Sequence, residues 1–338
     1  MKMIMYREKP VDTEQEKTIY LEGIERLICQ RQGEAEEERR KYTASIFEDQ
    51  ESFRRDLRTM LGWPLAEDGE KREMAVRKEL LSREDGFLIY RVSLEVMEGL
   101  WLSGLLFTAG ESEKRPMVIV QHGKLGTPEL VSGFFGNTYN YHQLILRVLQ
   151  YDVHVFAPQL LLWDSEAYGV PYDRVDLDTR LKSVGSSIAA IEVYGLTRVI
   201  DYFERTGHVT NVGMIGLSYG GFFTQLTAAV DIRVKAAISC SYFNERKRYR
   251  WSDWVWTDSM RKFQDAEIAC LVYPRKLWIE VGCRDEAFSV EGARSEFKRL
   301  LELCGSQRQK WVHFIEFDGN HEFCVDDEPI RQLIEELL

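Results

Sequence analysis

The stretch Gly216-Leu217-Ser218-Tyr219-Gly220, with Gly221 behind it, sets a serine two residues from a glycine on either side. It follows the apolar run Val212 to Ile215 and opens a helical run from Phe222 to Val230. A hydroxyl held in such a strand-to-helix turn stands above the sheet at a helix N-terminus, where developing negative charge is favoured. A Cβ at position 216 or 220 would crowd neighbouring backbone, so glycine suits both positions. Ser218 is therefore the candidate nucleophile. Its hydroxyl needs a base to take its proton. The segment Asp318-Gly319-Asn320-His321-Glu322-Phe323, after the strand-like KWVHFIEF, supplies His321 from a late loop. The imidazole needs a carboxylate to set its tautomer. Asp285 stands just beyond KLWIEVG, with Glu286 and then Asp318 as rivals. Acyl transfer also needs donors for the tetrahedral oxyanion. One is the backbone N–H of Tyr219. The other comes from the turn His122-Gly123-Lys124-Leu125-Gly126, where Lys124 is the choice and Leu125 the alternative. His122 is read as ordering that turn and not as the base.

Other chemistries lack their signatures. The formal net charge of −11 gives little surface for phosphate, so no nucleic-acid partner is expected. Six cysteines occur without a C-x-x-C pair, which leaves zinc-ribbon and thioredoxin-like sites without their spacing. Cys240, Cys270 and Cys304 sit in apolar surroundings and read as reduced, buried thiols. With no H-E-x-x-H pattern and no P-loop, no metal and no cofactor is expected. The start MKMIMYREKPVD lacks the apolar stretch of an export signal, and no window has the length of a membrane span. A cytoplasmic location and no membrane partner are the expectations.

Elements able to position these residues follow from periodicity. Residues of about 14–60 carry Ile24, Leu27 and Ile28 at helical spacing, and SFRRDLRTMLG predicts a second helix that stops at Gly62 and Pro64. FLIYRVSLEV and GLWLSGLLFTA predict an antiparallel pair. PMVIVQ, DVHVFAP, VTNVGMIG, VKAAISC, KLWIEVG and KWVHFIEF then alternate with helical runs, apart from a loop expected from Gln159 to about Asp178 and a long helix from about Ser183 to Arg205. This pattern predicts an α/β fold: a doubly wound, mostly parallel sheet, with sites beyond the carboxyl ends of its strands. The division expected is a helical extension over 1–65 and a catalytic domain over 66–338, with a cap insertion at about 242–263. The insertion, with Trp251, Trp254 and Trp256, is expected to roof Ser218, and the loop with Trp163, Tyr168 and Tyr172 to shape the same pocket. The N-terminal helices are a candidate surface for a homo-oligomer.

The motifs HGKLG, GLSYGG, GCRDEAF and GNHEF, in this order, resemble those of the α/β hydrolases. More narrowly, the chain resembles the acetylxylan-esterase-like and dienelactone-hydrolase-like branch, over about residues 50–338. Asp201-Tyr202-Phe203 matches the D-Y-F helix end that precedes the elbow in that branch. The resemblance implies the α/β-hydrolase fold, Ser218 as nucleophile, Asp285 as acid, His321 as base, and Tyr219 and Lys124 as oxyanion donors. Secreted carbohydrate esterases of this kind carry an export signal, so its lack here favours a small or imported ester over polymeric xylan. The expected function is carboxylic-ester hydrolysis through an acyl-enzyme, on a small-molecule ester such as an acetylated sugar. Two alternatives stand beside it. One is a peptidase or amidase of the prolyl-oligopeptidase-like kind, and the other is a non-catalytic binding protein with a hydrolase fold.

Overall fold

In a computed structural model the described residues are 9, 11, 13–67, 72–110, 114–134 and 140–338. Nine strands form one sheet: β1 Val76–Glu84, β2 Phe87–Met97, β3 Leu100–Thr108, β4 Arg115–Gln121, β5 His154–Pro158, β6 Val209–Leu217, β7 Val234–Cys240, β8 Lys276–Gly282 and β9 Val312–Phe317. Their spatial order is β1-β2-β3-β5-β4-β6-β7-β8-β9. The first three strands and the β3–β5 contact are antiparallel, and from β5 through β9 the pairing is parallel. The interior strands are almost continuously apolar because helices cover both faces of the sheet.

The helices are α1 Glu14–Tyr42, α2 Gln50–Leu61, α3 Pro128–Ser132, α4 Leu144–Leu149, α5 Arg174–Ser183, α6 Ile188–Thr206, α7 Tyr219–Val230, α8 Ser259–Lys262, α9 Asp265–Cys270, α10 Val290–Cys304 and α11 Glu328–Glu335. One face of the sheet packs against α2, α6, α7, α9 and α10 in the larger core. The other packs against α3, α4 and α11 through Val131, Leu144, Val148, Ile330 and Leu333. Local signals set the ends of the long helices. The Ser187 side chain accepts the Ala190 N–H at the start of α6, and Gly207, at φ 71°, takes the left-handed turn that ends it.

Three segments differ from the sequence expectation or add to it. Strand β1 had no counterpart, because VRKELLSRE is charged on both faces and mostly exposed. Its backbone pairing with β2 makes it a strand. The loop expected to run to about Asp178 ends at Asp173, whose side chain accepts the Asp176 N–H and starts α5. The long helix expected from about Ser183 to Arg205 is α6, which starts later, at Ile188, and is parted from α5 at Gly185, where φ is 78°. Within the N-terminal region, α1 buries Ala35 and Arg39 but exposes Tyr20, Leu21, Ile24, Leu27 and Ile28. Helix α2 belongs to the main core through Phe53, Leu57 and Leu61. Among the described residues no helix is long and apolar enough to cross a membrane.

The place of α2 in the core has a measurable consequence. Leu57 is 0% exposed, so Leu57→Ala should lower the free energy of urea-induced unfolding by about 2–5 kcal/mol, from lost transfer energy plus the cavity left behind. A change under about 0.5 kcal/mol, the scale of a surface substitution, would show that α2 is not part of the cooperative core.

Candidate active site

Strand β6 runs directly into α7 with only Ser218 between them. Ser218 has φ 59° and ψ −120°, a conformation a residue with a side chain holds only when its surroundings impose it. The glycines around it allow the close approach. A Cβ on Gly216 would lie 2.2 Å from the carbonyl carbon and oxygen of Gly220, and one on Gly220 would lie 2.4 Å from the Gln121 carbonyl oxygen. Ser218 N–H donates to the Cys240 carbonyl at 2.9 Å, which ties the turn to β7. Tyr219 is the first residue of α7, so its N–H has no acceptor four residues back within the helix.

His321 lies in the loop after β9, and its Nδ1 is 2.8 Å from Asp285 Oδ2. The other oxygen of Asp285 accepts the N–H groups of Ala287 at 2.8 Å and Phe288 at 2.9 Å, which fixes the plane of the carboxylate. The Asp285 side chain is fully buried. An anion there makes Nδ1 the protonated ring nitrogen and leaves Nε2 as the basic one. Gly282, the last residue of β8, makes the approach possible, because a Cβ there would meet the Asn320 carbonyl oxygen at 2.2 Å. The Phe288 ring stacks on the imidazole at 5.6 Å and 20°. Of the rival acids, Glu286 is exposed, and Asp318 is exposed and paired with Arg284.

The turn after β4 is pinned N–H by N–H. Gly123 donates to the Tyr141 hydroxyl at 2.8 Å, Leu125 to the Leu162 carbonyl at 2.7 Å, and Gly126 to the Gly123 carbonyl at 3.1 Å. Leu125 is thereby committed elsewhere, while Lys124 N–H has no backbone acceptor among the described residues. Gly123 brings this turn against Ser218, since a Cβ there would lie 3.1 Å from Ser218 Cβ. His122 is buried behind the turn. Its Nδ1 is 2.9 Å from the Gly123 carbonyl oxygen, and its Nε2 accepts the Leu160 N–H at 3.1 Å. Burial pushes its pKa down from 6.5 to about 4, so the ring stays neutral in the working range.

Ser218, Tyr219, Lys124 and His321 all border one cleft of about 1010 Å³. Trp163 and Tyr172, from the loop before α5, line it with ring centres 4.8 Å apart. Trp251 and Asp253 of the 242–263 insertion line it too, whereas Trp254 and Trp256 are buried. Tyr168 is exposed and is not among the residues that border the cleft.

Some contacts had no signal in the sequence. Tyr141 supports Gly123, and His142 Nε2 lies 2.8 Å from Glu322 Oε2, beside the catalytic candidate His321. Arg174 and Asp253 meet at 2.7 Å next to Tyr219. Each joins segments far apart in the chain, which no local spacing encodes.

No family model matches the chain, and no curated protein is similar to it in sequence. Solved structures are similar in fold. A Bacteroides fragilis protein assigned as an acetyl xylan esterase aligns with a TM-score of 0.63 at 13% identity, over 82% of this chain and 76% of its own. A glucuronoyl esterase from Solibacter usitatus aligns with a TM-score of 0.59 at 13% identity, over 84% and 91%. The methylesterase BT1017 aligns with a TM-score of 0.59 at 16% identity, over 91% of this chain and 62% of its own. Together with the sheet order and the turn at Ser218, these likenesses show that the chain has the α/β-hydrolase fold.

Proposed function

We propose that the chain is a serine esterase that cleaves small carboxylic esters, such as an acetylated sugar, through an acyl-enzyme. The observation that carries this reading is the 2.8 Å contact between His321 and the buried Asp285, in a cleft that also holds the strained Ser218. Ser218 Oγ attacks the ester carbonyl carbon while His321 Nε2 takes the hydroxyl proton. The carbonyl oxygen becomes an oxyanion and is met by the N–H groups of Tyr219 and Lys124. Collapse expels the alcohol, which leaves with the proton from His321. Water then gives a proton to Nε2 and attacks the acyl carbon. The carboxylic acid departs and Ser218 recovers its proton. Asp285 stays ionised throughout and stabilises the imidazolium formed in each half. The esterases among the fold neighbours support the ester as substrate class.

A fluorophosphonate probe tests this reading. One probe should attach per folded chain, at Ser218, with mass analysis locating it, and Ser218→Ala should take up none. Asp285→Asn should lower kcat/KM on 4-nitrophenyl acetate by about a thousandfold or more, from loss of the correct tautomer, whereas Asp318→Asn should change it less than about threefold. Probe-resistant folded protein would instead favour a non-catalytic binding protein, and faster cleavage of aminoacyl amides than of the matched esters would favour a peptidase.

The oxyanion turn has its own pH test. The fold favours neutral His122, whose pKa is lowered from 6.5 to about 4 by burial. Below the ordinary histidine range the unfolded chain takes up a proton that the folded one refuses. The histidine therefore costs stability progressively as pH falls through that window, by about 3 kcal/mol in all at 1.36 kcal/mol per unit. NMR should show His122 titrating near pH 4. A midpoint near 6.5 would mean that the turn is open to solvent.

A further inference from the structure

We propose that Arg174 and Asp253 are the specificity-determining pair of the cleft, selecting esters with a neutral hydroxyl near the scissile bond over esters that carry an anion. This rests on the esterase reading above.

Arg174 opens α5, Asp253 belongs to the 242–263 insertion, and Tyr219 follows the nucleophile. The three side chains meet. Arg174 Nε donates to Asp253 Oδ2 at 2.7 Å, and Nη1 donates to the Leu161 carbonyl at 2.8 Å. The Tyr219 hydroxyl donates to the same Asp253 Oδ2 at 2.9 Å. The guanidinium carbon stands 5.0 Å from the centre of the Tyr219 ring. These contacts hold the guanidinium rigidly with two of its nitrogens. Nη2, on a side chain that lines the cleft, is the nitrogen those bonds do not use, and Asp253 Oδ1 is likewise outside them. A donor and an acceptor carried by one cleft-lining ion pair match a hydroxyl, which accepts from one and donates to the other.

The charge balance argues against an anionic ligand. The Arg174 charge is already matched by Asp253. Glu192, buried nearby, accepts the Leu161 N–H, and burial raises the pKa of its carboxyl. Elsewhere the cleft carries Lys124 and Arg250 against Asp164, Glu166 and Asp173, so it offers no surplus of positive charge. A carboxylate or phosphate placed at Arg174 would also lie next to Asp253, and like charges at that range repel. Trp251, 41% exposed and on the same cleft, offers ring surface that suits the apolar side of a hydroxylated ring.

The test compares three substrates: 4-nitrophenyl acetate, a mono-acetylated methyl glucopyranoside, and its uronic-acid counterpart, with Arg174→Gln and Arg174→Lys. Wild-type kcat/KM should be at least tenfold higher for the neutral sugar acetate than for the uronate. Both variants should lose about 10- to 100-fold on the sugar acetate, the range for one hydrogen bond from a charged donor, mostly in KM. That loss should exceed the loss on 4-nitrophenyl acetate at least tenfold. Lysine should not rescue, because it keeps the charge but not the planar donor edge. Equal losses on both acetates would mean that the pair only supports the fold around Tyr219 and would overturn the proposal. So would an unchanged sugar acetate rate, a preference for the uronate, or full rescue by lysine. A wild type that neither cleaves 4-nitrophenyl acetate nor takes the fluorophosphonate would defeat the esterase reading itself, a result distinct from any of these.

Discussion

The backbone of Ser218 is the constraint on which the rest of the site depends. A serine at φ 59° and ψ −120° persists only where its surroundings overdetermine it. Here β6 enters the turn from a buried strand and α7 leaves it with every residue buried. The bond from Ser218 N–H to Cys240 anchors the turn sideways to β7. Gly216 and Gly220 remove the side chains that would force strand and helix apart. The strain is therefore carried by the packing of the whole sheet and its larger core. What it delivers is one hydroxyl at a helix N-terminus, with the Tyr219 N–H beside it.

The other groups come to the same cleft through the same device, a residue without a side chain at a point of close approach. Gly282 lets the loop of Asn320 close over the end of β8, so that His321 meets Asp285. Gly123 lets the turn after β4 lie against Ser218, with His122 and Tyr141 holding it from behind. The neutrality of His122 matters to that arrangement. A charged ring would lose the bond it accepts from Leu160 and would stand unsolvated in the interior.

The sequence carried much of this because the relevant signals are local. Apolar runs mark the interior strands, the glycine-serine-glycine spacing marks the turn, and the chain order of Ser218, Asp285 and His321 follows the strand ends. Choosing Asp285 over Glu286 and Asp318 rested on its position after β8, and in the structure it is Asp285 that is buried against the imidazole. Local signals fail where backbone pairing or long-range contact decides. Strand β1 is charged on both faces and exists through its ladder with β2. Helix α5 starts at a polar DRVDLD stretch that reads as loop until the cap from Asp173 is seen. The meeting of Arg174, Asp253 and Tyr219 spans three segments whose spacing in the chain says nothing of their contact.

The most direct measurement of the central claim is a crystal structure of the protein after reaction with a phosphonate ester, whose tetrahedral phosphorus stands in for the attacked carbonyl carbon. The account predicts a covalent bond from Ser218 Oγ to phosphorus, the phosphoryl oxygen about 3 Å from the N–H groups of both Tyr219 and Lys124, and His321 Nε2 turned toward the Ser218 oxygen. A phosphoryl oxygen pointing into solvent, with His321 directed away from the adduct, would contradict it.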